Sequence, residues 1–164
     1  MQVLSEKHLK SLLSFAFIIF LTACSVVPVI DQWKNLENNN WSRSQKVKIP
    51  VTILDTDHYY NIAVNLRVTN DYKYSNLWMK LDIKDPQGNV SSEQIMLNLA
   101  DHRGKWTGHN LGNIVSFRLP VIKDKVFNRA GIYNFYLEQY MRDSVLKEVV
   151  SAGVQLEMQK AILK

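Results

Sequence analysis

The sequence contains one cysteine, Cys24, among 164 residues, so the chain has no cysteine pair for an internal disulfide. It also lacks the ~20 consecutive apolar residues that a helix needs to cross a hydrocarbon core of ~30 Å. The longest apolar stretch, Leu12 to Leu21, is too short for that. No Gly-x-Ser-x-Gly motif is present, which argues against a serine hydrolase of that class. A stable fold must therefore come from the burial of apolar side chains alone.

The N-terminal segment has the layout of a secretory signal peptide. Lys7 and Lys10 precede the apolar stretch, which ends in Leu21-Thr22-Ala23-Cys24. This ending resembles the bacterial lipobox, in which the cysteine sulfur receives a diacylglycerol before cleavage. We therefore predict that residues 1–23 are removed and that Cys24 carries the diacylglycerol and an N-acyl chain, a stable membrane anchor. The alternative is an ordinary secreted protein whose free cysteine is coincidental. Apart from this covalent lipid, no cofactor is expected.

The length of the chain predicts one domain, and its charge pattern bears on the kind of partner. Removing 23 residues from 164 leaves 141, enough for a single domain. We expect residues 24–40, which include the polar run Asn38-Asn39-Asn40, to form a lipidated tether, and residues 41–164 to form the domain. The net charge is +5, but the cations are interspersed with acids, so nucleic acid is not an expected partner. Ser25, and not an aspartate, follows Cys24, which favours an outer-membrane lipoprotein facing the periplasm.

Beyond the tether, apolar and polar residues alternate with the period of half-buried strands. Six such segments begin at Tyr60, Leu77, Ile95, Val115, Tyr133 and Val154, and the segment from Trp41 to Ile49 is a further candidate edge strand. The Val115 segment is expected to end at Pro120, and the only helical turn is expected over Lys123 to Arg129. Turns such as Asp85 to Asn89 separate the strands. This pattern predicts an all-β protein, an antiparallel β-sandwich with a jelly-roll-like topology and at most one short helix.

Residues with the chemistry of catalysis or metal binding are few. His102 and His109 are seven positions apart in a glycine-containing loop next to Asp101, a weak match to a metal site. A structural role in the loop is the favoured interpretation. The carboxylates near strand ends are typical of turns. We therefore expect no catalytic residues, no metal site and no small-molecule substrate.

Aromatic residues outside the predicted core raise the question of binding. Tyr72, Tyr74, Trp78 and Trp106 lie in loops or on the outward positions of a strand. Such rings stack on sugars, anchor protein interfaces, or fill the rim of a core. Filling of the rim is the favoured interpretation, and the other two remain open.

Three sets of motifs resemble the gliding-motility lipoprotein H (GldH) family of Bacteroidota. The first runs from Asp57-His58-Tyr59-Tyr60 through Asn65-Leu66-Arg67-Val68-Thr69 to Tyr72-Lys73-Tyr74-Ser75-Asn76-Leu77-Trp78. The second is Leu99-Ala100-Asp101 followed by Gly104-Lys105-Trp106-Thr107-Gly108 and Gly112. The third is Ala130-Gly131-Ile132-Tyr133-Asn134-Phe135 with Glu138-Gln139-Tyr140-Met141-Arg142. Together they span most of the mature chain in the family's order.

The resemblance implies an envelope lipoprotein that is needed for gliding and is associated with the type IX secretion machinery, and it implies no enzyme. Its expected partners are other motility or secretion proteins, bound by protein–protein interaction. Arg67, Trp78, Trp106 and Arg142 are the candidate partner-binding patch. A structural alternative is that Arg67 and Arg142 each pair with a carboxylate such as Glu138. A periplasmic carbohydrate or cell-wall binding module is the alternative function.

Overall fold

Eleven β-strands form nearly all the regular structure of this protein, whose computed structural model describes residues 29–162. In chain order they are β1 Val29–Asn35, β2 Asn40–Ser42, β3 Val47–Ile53, β4 His58–Thr69, β5 Asn76–Lys84, β6 Val90–Asn98, β7 His109–Leu111, β8 Ile114–Lys125, β9 Gly131–Gln139, β10 Val145–Lys147 and β11 Val149–Ala161. A three-residue 3₁₀ turn, Glu37–Asn39, is the one helical element among these residues. The predicted all-β class is confirmed.

The strands form two antiparallel sheets whose pairing is that of a jelly roll. One sheet has the order β1-β11-β4-β8-β7 and the other the order β3-β9-β5-β6, while β2 and β10 form a small separate ladder. The β5–β6 hairpin is nested inside the pair β4–β8, which is nested inside β3–β9 and then β1–β11. Successive pairs alternate between the two sheets, so one long antiparallel ribbon is rolled into a double-sheet sandwich.

The core lies between the sheets and is built from alternate residues of each strand. In β3, Val47, Ile49, Val51 and Ile53 are buried and the residues between them are exposed. All five residues predicted for one face of β4 are buried, and they are Tyr60, Ile62, Val64, Leu66 and Val68. Each fully buried aliphatic side chain contributes about 1.5–3 kcal/mol relative to exposure, so a core of this kind explains stability without a disulfide.

The folded domain begins earlier than residue 41. β1 pairs with β11 over seven residues, from Val29 opposite Glu157 to Asn35 opposite Ser151. Leu36 is buried beyond it. In the polar run, Asn38 and Asn39 belong to the turn and take the left-handed conformation that asparagine tolerates, and Asn40 begins β2. Residues 29–35 of the expected tether therefore belong to the five-stranded sheet. Cys24 and the rest of the expected tether before Val29 lie outside the described residues.

Two further strand boundaries differ from the expectation. The predicted helical turn over 123–129 is wrong, because β8 continues through Pro120 to Lys125 and a loop follows. Proline is accommodated there because the β4–β8 register shifts beside Ile62, where a bulge interrupts the ladder. The segment from Trp41 to Ile49 is divided between β2 and β3, and Trp41 is fully buried.

At the edge of the five-stranded sheet, the backbone of β1 lies very close to Gly153 of β11. A Cβ on Gly153 would overlap the carbonyl oxygen of Gln32 and lie 3.0 Å from the Cα of Trp33. Trp33 opposes Gly153 in the ladder, and its ring reaches the guanidinium of Arg67 on β4 at 4.1 Å. The missing side chain thus lets β1 approach β11 closely and lets Trp33 stack across the sheet.

Replacing Gly153 should loosen β1 specifically. Gly153→Ala puts a methyl group against the backbone of β1, and we expect the free energy of unfolding to fall by about 2–3 kcal/mol. Hydrogen exchange of the β1 amides, followed by mass spectrometry, should speed up more than exchange in β9. Gly104→Ala is the control, because a Cβ at Gly104 meets nothing within 4 Å. Its positive φ of 80° strains an alanine and lowers overall stability, but it should not speed up exchange in β1 relative to β9. Unchanged protection of β1 in Gly153→Ala would contradict this packing.

Candidate interaction surface

The beginning of β5, the end of β6 and the end of β9 meet on the outer face of the four-stranded sheet. Trp78 on β5 is directly opposite Met96 on β6. On its other side, the Tyr140 N–H donates to the carbonyl of Trp78 at 2.7 Å. A concavity of about 380 Å³ opens here, lined by Tyr74, Asn76, Trp78, Gln94, Tyr140, Met141 and Arg142. These residues together with Met96 are called the Trp78 surface below.

Alternation along the strands determines which side chains reach this surface. Leu77 and Met79 are buried, so Trp78 between them points outward and is 40% exposed. Met96 on the neighbouring strand is 44% exposed. Tyr140, which follows β9, is 55% exposed. Three large apolar side chains, from β5, β6 and the bend after β9, are therefore exposed on one face. Grouped apolar side chains in water are unfavourable, and such a group is typical of a binding surface.

The bend after β9 is held in place by the fully buried amide of Gln139. Its Oε1 accepts the Met141 N–H at 2.9 Å, and its Nε2 donates to the Asp143 carbonyl at 3.0 Å. The Tyr74 hydroxyl donates to the Asp143 carboxylate at 2.8 Å, and Arg43 donates to the carbonyl of Met141. With Met141 buried, Tyr140 and Arg142 on either side of it are presented outward on a rigid bend.

The Trp78 surface contains aromatic rings, methionine and a single charge, that of Arg142. No ion pair or hydrogen bond of the Arg142 guanidinium is found among the residues that the structure describes. The ion pairs of this face lie beside the concavity, with Lys46 at 3.0 Å from Glu138 and Lys80 at 3.1 Å from Asp82. The structural alternative, in which Arg67 or Arg142 pairs with a carboxylate such as Glu138, is wrong for Glu138, because Lys46 is paired with that carboxylate.

The candidate patch residues are divided by the fold. Trp78 and Arg142 line the same concavity. Arg67 lies on the outer face of the opposite sheet, stacked on Trp33. Trp106 is only partly exposed and packs at the rim of the core. Two of the four residues are thus brought together and two are kept apart.

Trp106 belongs to a row of rings that leads from the core to the surface. Its ring centroid is 6.2 Å from that of Phe117 and 6.4 Å from that of Tyr72, which in turn lies 6.0 Å from Tyr74 at the concavity. Gly108 makes room for this row, since a Cβ there would come within 2.7 Å of the Phe117 ring. The expectation that aromatic residues of these loops fill the rim of the core is confirmed for Tyr72, which is 4% exposed, and describes Trp106 as well.

Tyr140 and Met96 belong to the Trp78 surface but were not among the candidate residues. Met96 follows from the alternation of β6, in which Ile95 and Leu97 point inward. Tyr140 directly follows the end of β9, so no strand period predicts its direction. Arg142, two residues further on, is a candidate residue, and the hydrogen bonds of Gln139 help to hold Tyr140 and Arg142 on one surface.

Other sites on the described residues offer less chemistry. A concavity of about 500 Å³ lies between the Asp85 turn and the loop after β8, and the Asp85 carboxylate in it is already bonded to Asn89. Within residues 29–162, no three His, Cys, Asp or Glu side chains are grouped as metal ligands. His102 only accepts a 3.4 Å hydrogen bond from Arg103. No helix in this part of the chain is long and apolar enough to span a membrane.

Comparison with known proteins assigns the chain to a family. The sequence profile described as "GldH lipoprotein" matches residues 28–156. This protein belongs to the GldH lipoprotein family. The matched region begins next to β1 and ends within β11, so the family similarity extends over the jelly roll except the end of β11 and includes the Trp78 surface.

Two curated relatives of the GldH family are similar over most of their length. The "Gliding motility lipoprotein GldH homolog" of Christiangramia forsetii is 29% identical over 125 residues, 76% of each chain. The "Gliding motility lipoprotein GldH" of Flavobacterium johnsoniae is 26% identical over 146 residues, 85% of this chain and 90% of its own. The protein is accordingly a gliding-motility lipoprotein of the cell envelope, held there by a lipid anchor.

A viral structure shows some similarity but supports no argument. The "Structure of infectious bursal disease virus Gx strain" is 12% identical and has a TM-score of 0.22. The alignment covers 81% of this chain and 40% of that one. The jelly roll described above rests on the strand pairing alone.

The carboxylate of Asp82 links β5 to β6 next to the Trp78 surface. Burial raises its pKa, but a 2.6 Å hydrogen bond from the Ser92 hydroxyl and the Lys80 ammonium at 3.1 Å outweigh burial, so the pKa lies below its ordinary value. A depressed folded-state pKa stabilises the fold above the unfolded-state pKa of ~3.9. This contribution is lost as the pH falls through the folded-state value.

Asp82→Asn should therefore be destabilising in a pH-dependent way. We expect the free energy of unfolding to fall by about 1–2 kcal/mol at pH 7, because a charge-assisted hydrogen bond is lost. The difference from the unsubstituted protein should begin to shrink below pH ~3.9 and disappear once the pH is below the lowered folded-state pKa, where both proteins carry a neutral side chain. Urea denaturation at several pH values measures this. Glu93→Gln, at an exposed position on β6, should change stability by less than about 0.5 kcal/mol throughout. A constant difference between Asp82→Asn and the unsubstituted protein would rule out the charge as its source.

Proposed function

We propose that this GldH-family protein is anchored through lipid on Cys24 and binds another envelope protein of the motility and type IX secretion machinery through the Trp78 surface. It faces the periplasm from the outer membrane. It acts by holding its partner and not by catalysis. The covalent lipid is its only prosthetic group.

The composition of the Trp78 surface is the observation that supports this proposal most. Protein interfaces are enriched in aromatic residues, methionine and arginine and are poor in lysine and acids at their centre. The concavity has Trp78, Tyr140, Met141 and Arg142 in its lining and no lysine, aspartate or glutamate. Tryptophan, tyrosine and arginine are also the residues that most often dominate binding energy. A sugar site would instead favour a flat array of exposed rings. Asn76 and Gln94 could bond to a sugar, but the exposed rings here are accompanied by methionine and arginine, which favours a protein partner.

The position of the anchor also supports the proposal. Cys24 is five residues before Val29, which limits their separation to about 18 Å. β1 lies at the edge of the five-stranded sheet, and the Trp78 surface is on the outer face of the other sheet. With the five-stranded sheet facing the lipid, the Trp78 surface points away from the membrane towards a partner.

Substitutions within the Trp78 surface should abolish partner capture without unfolding the protein. We expect Trp78→Ala and Arg142→Ala each to lower recovery of motility and secretion proteins at least about 10-fold, because interface tryptophan and arginine contribute roughly 2 kcal/mol or more. The measurement is cross-linking in membranes, purification of the lipidated protein and quantitative mass spectrometry. Ile132→Ala and Arg118→Ala are matched controls, exposed on the fold but outside this surface. Equal recovery from all four variants would contradict the assigned surface, and binding of peptidoglycan or glycan through Trp78 would replace the protein partner.

The anchor is tested separately by metabolic labelling with an alkyne fatty acid. The unsubstituted chain should be labelled, and Cys24→Ala should not be, since only a thiol forms the thioether. Ser25→Ala keeps the thiol and should be labelled normally. Labelling of Cys24→Ala would show that the lipid is attached elsewhere.

A further inference from the structure

Within residues 29–162, β6 is an edge strand with one side unpaired. It opposes β5 over nine consecutive residues, from Val90 opposite Lys84 to Asn98 opposite Asn76, with no register shift. No other strand of the described chain pairs with it. Its residues 90–94 and 96 are exposed, so little of the described chain covers it. A long, regular and uncovered edge is a template for another strand.

Hydrogen bonds at both ends of the β5–β6 ladder show which residues face this free edge. The Asp85 N–H donates to the Asn89 carbonyl at 2.9 Å, and the Leu99 N–H donates to the Ser75 carbonyl at 2.8 Å. Hydrogen-bonded pairs recur at every second residue in an antiparallel ladder, so the odd-numbered residues of β6 bond to β5. The even-numbered residues therefore direct their N–H and C=O groups to the free edge, and they are Val90, Ser92, Gln94, Met96 and Asn98.

Every other long sheet edge has features that discourage pairing. The exposed positions of β3 include Lys48 and Pro50. β1 carries Asp31 and Lys34, and β8 has Pro120 where β7 does not cover it. β7 itself has only three residues. Lysine, proline, bulges and shortness are the usual protections of an edge strand, and β6 has none of them.

We propose that β6 pairs with β6 of a second copy of this chain, antiparallel, about a two-fold axis at Gln94. Gln94 is the central residue of the nine, so full overlap places Gln94 opposite its own symmetry mate. Ser92 then opposes Met96, and Val90 opposes Asn98. Of the nine opposed pairs, the five between even-numbered residues are the hydrogen-bonded ones, because those N–H and C=O groups face the free edge, and they form about ten backbone hydrogen bonds. The two four-stranded sheets become one eight-stranded sheet.

The charge pattern selects a second copy as the occupant. The even-numbered residues of β6 carry no charge, and the one charged residue of the strand is Glu93. In the fully overlapped register, Glu93 opposes Ile95 of the other copy and not its own mate, so no like charges face each other. The strand is thus complementary to itself in the single register that uses its whole length.

The symmetry also agrees with a shared membrane. A two-fold axis perpendicular to the joined sheet leaves both five-stranded sheets on one side and both Trp78 surfaces on the other. Both β1 strands then face the same bilayer, and this orientation depends on the anchoring at Cys24 proposed above. The pairing itself does not depend on the proposed partner.

A charge swap at the two-fold axis tests the register. The full-length lipidated protein in mild detergent should sediment as a dimer, corrected for bound detergent. Gln94→Lys and Gln94→Glu should each raise the dissociation constant at least about 10-fold, because like charges then meet at the axis. Mixing the Gln94→Lys chain with the Gln94→Glu chain should restore a dimer containing one of each. Thr52→Lys, on the exposed face of β3, should leave the dimer intact.

Cysteine cross-linking in membranes gives an independent readout. Gln94→Cys should form a disulfide-linked dimer on mild oxidation, since opposed Cβ atoms lie roughly 5 Å apart. Val90→Cys should not, because its own mate is about 27 Å away along the strand in this register. A monomeric unsubstituted protein, a dimer insensitive to both charge variants, or cross-linking of the Gln94→Cys chain to a different protein would overturn the proposal. Partner capture is a separate measurement, so the Trp78 surface can fail its test while the dimer passes, and the reverse.

Discussion

The ladder between β4 and β11 is the contact on which the rest of this structure depends. β11 also pairs with β1, and β4 also pairs with β8, so this ladder joins two strand pairs into one five-stranded sheet. It connects residues about ninety positions apart, which makes it costly to form and slow to nucleate. Without it the chain is a long ribbon that has no second layer to cover its apolar face. Gly153 lies within this ladder and lets β1 approach closely enough to complete the sheet.

Closing the sandwich also determines what remains on its surface. The inward-facing residues of both sheets are apolar and form the core, and the outward-facing residues between them are mostly polar. Exposed apolar side chains on the outer faces are therefore exceptions to this alternation. Others lie elsewhere, as Leu54 does in the loop after β3. Trp78, Met96 and Tyr140 are grouped because three strands end side by side there, and the bend held by Gln139 adds Arg142 to the group. The interaction surface thus follows from the ends of strands rather than from any one motif.

The jelly roll and the free β6 edge are related consequences of nested pairing. A ribbon rolled into two sheets leaves an innermost hairpin, β5–β6, whose second strand lies at the end of its sheet. β3, at the other end of that sheet, carries proline and lysine, whereas β6 carries serine, glutamine and methionine at its edge-facing positions. The two edges of one sheet therefore differ in side chains and not in backbone geometry. A second copy on β6 would place the Trp78 surfaces of both molecules on one continuous face.

Much of the fold could be predicted from residues such as Tyr60, Ile62 and Val64, because a period of two shows at once that a segment is a strand and which face it buries. The same reasoning failed over 123–129, where a bulge let β8 continue beyond Pro120, and at β1, whose polar residues read as a tether although β11 pairs with them. The same alternation predicts that Trp78 faces outward. Arg142 is a candidate because of the chain's resemblance to the family. No local pattern indicates that Arg67 and Trp106 lie away from the Trp78 surface. Which strands are neighbours in a sandwich depends on pairing between residues far apart in the chain.

By itself the sequence determined the strand class, the inner faces, the absence of a disulfide and the predicted lipid anchor at Cys24, because each of these depends on local residue types and spacing. Tertiary structure alone decided which strands are neighbours, which of the candidate residues share a surface and which edge stays open. Those properties arise from contacts between residues far apart in the chain. Backbone pairing, and not the local pattern of side chains, decides which of those residues come close together.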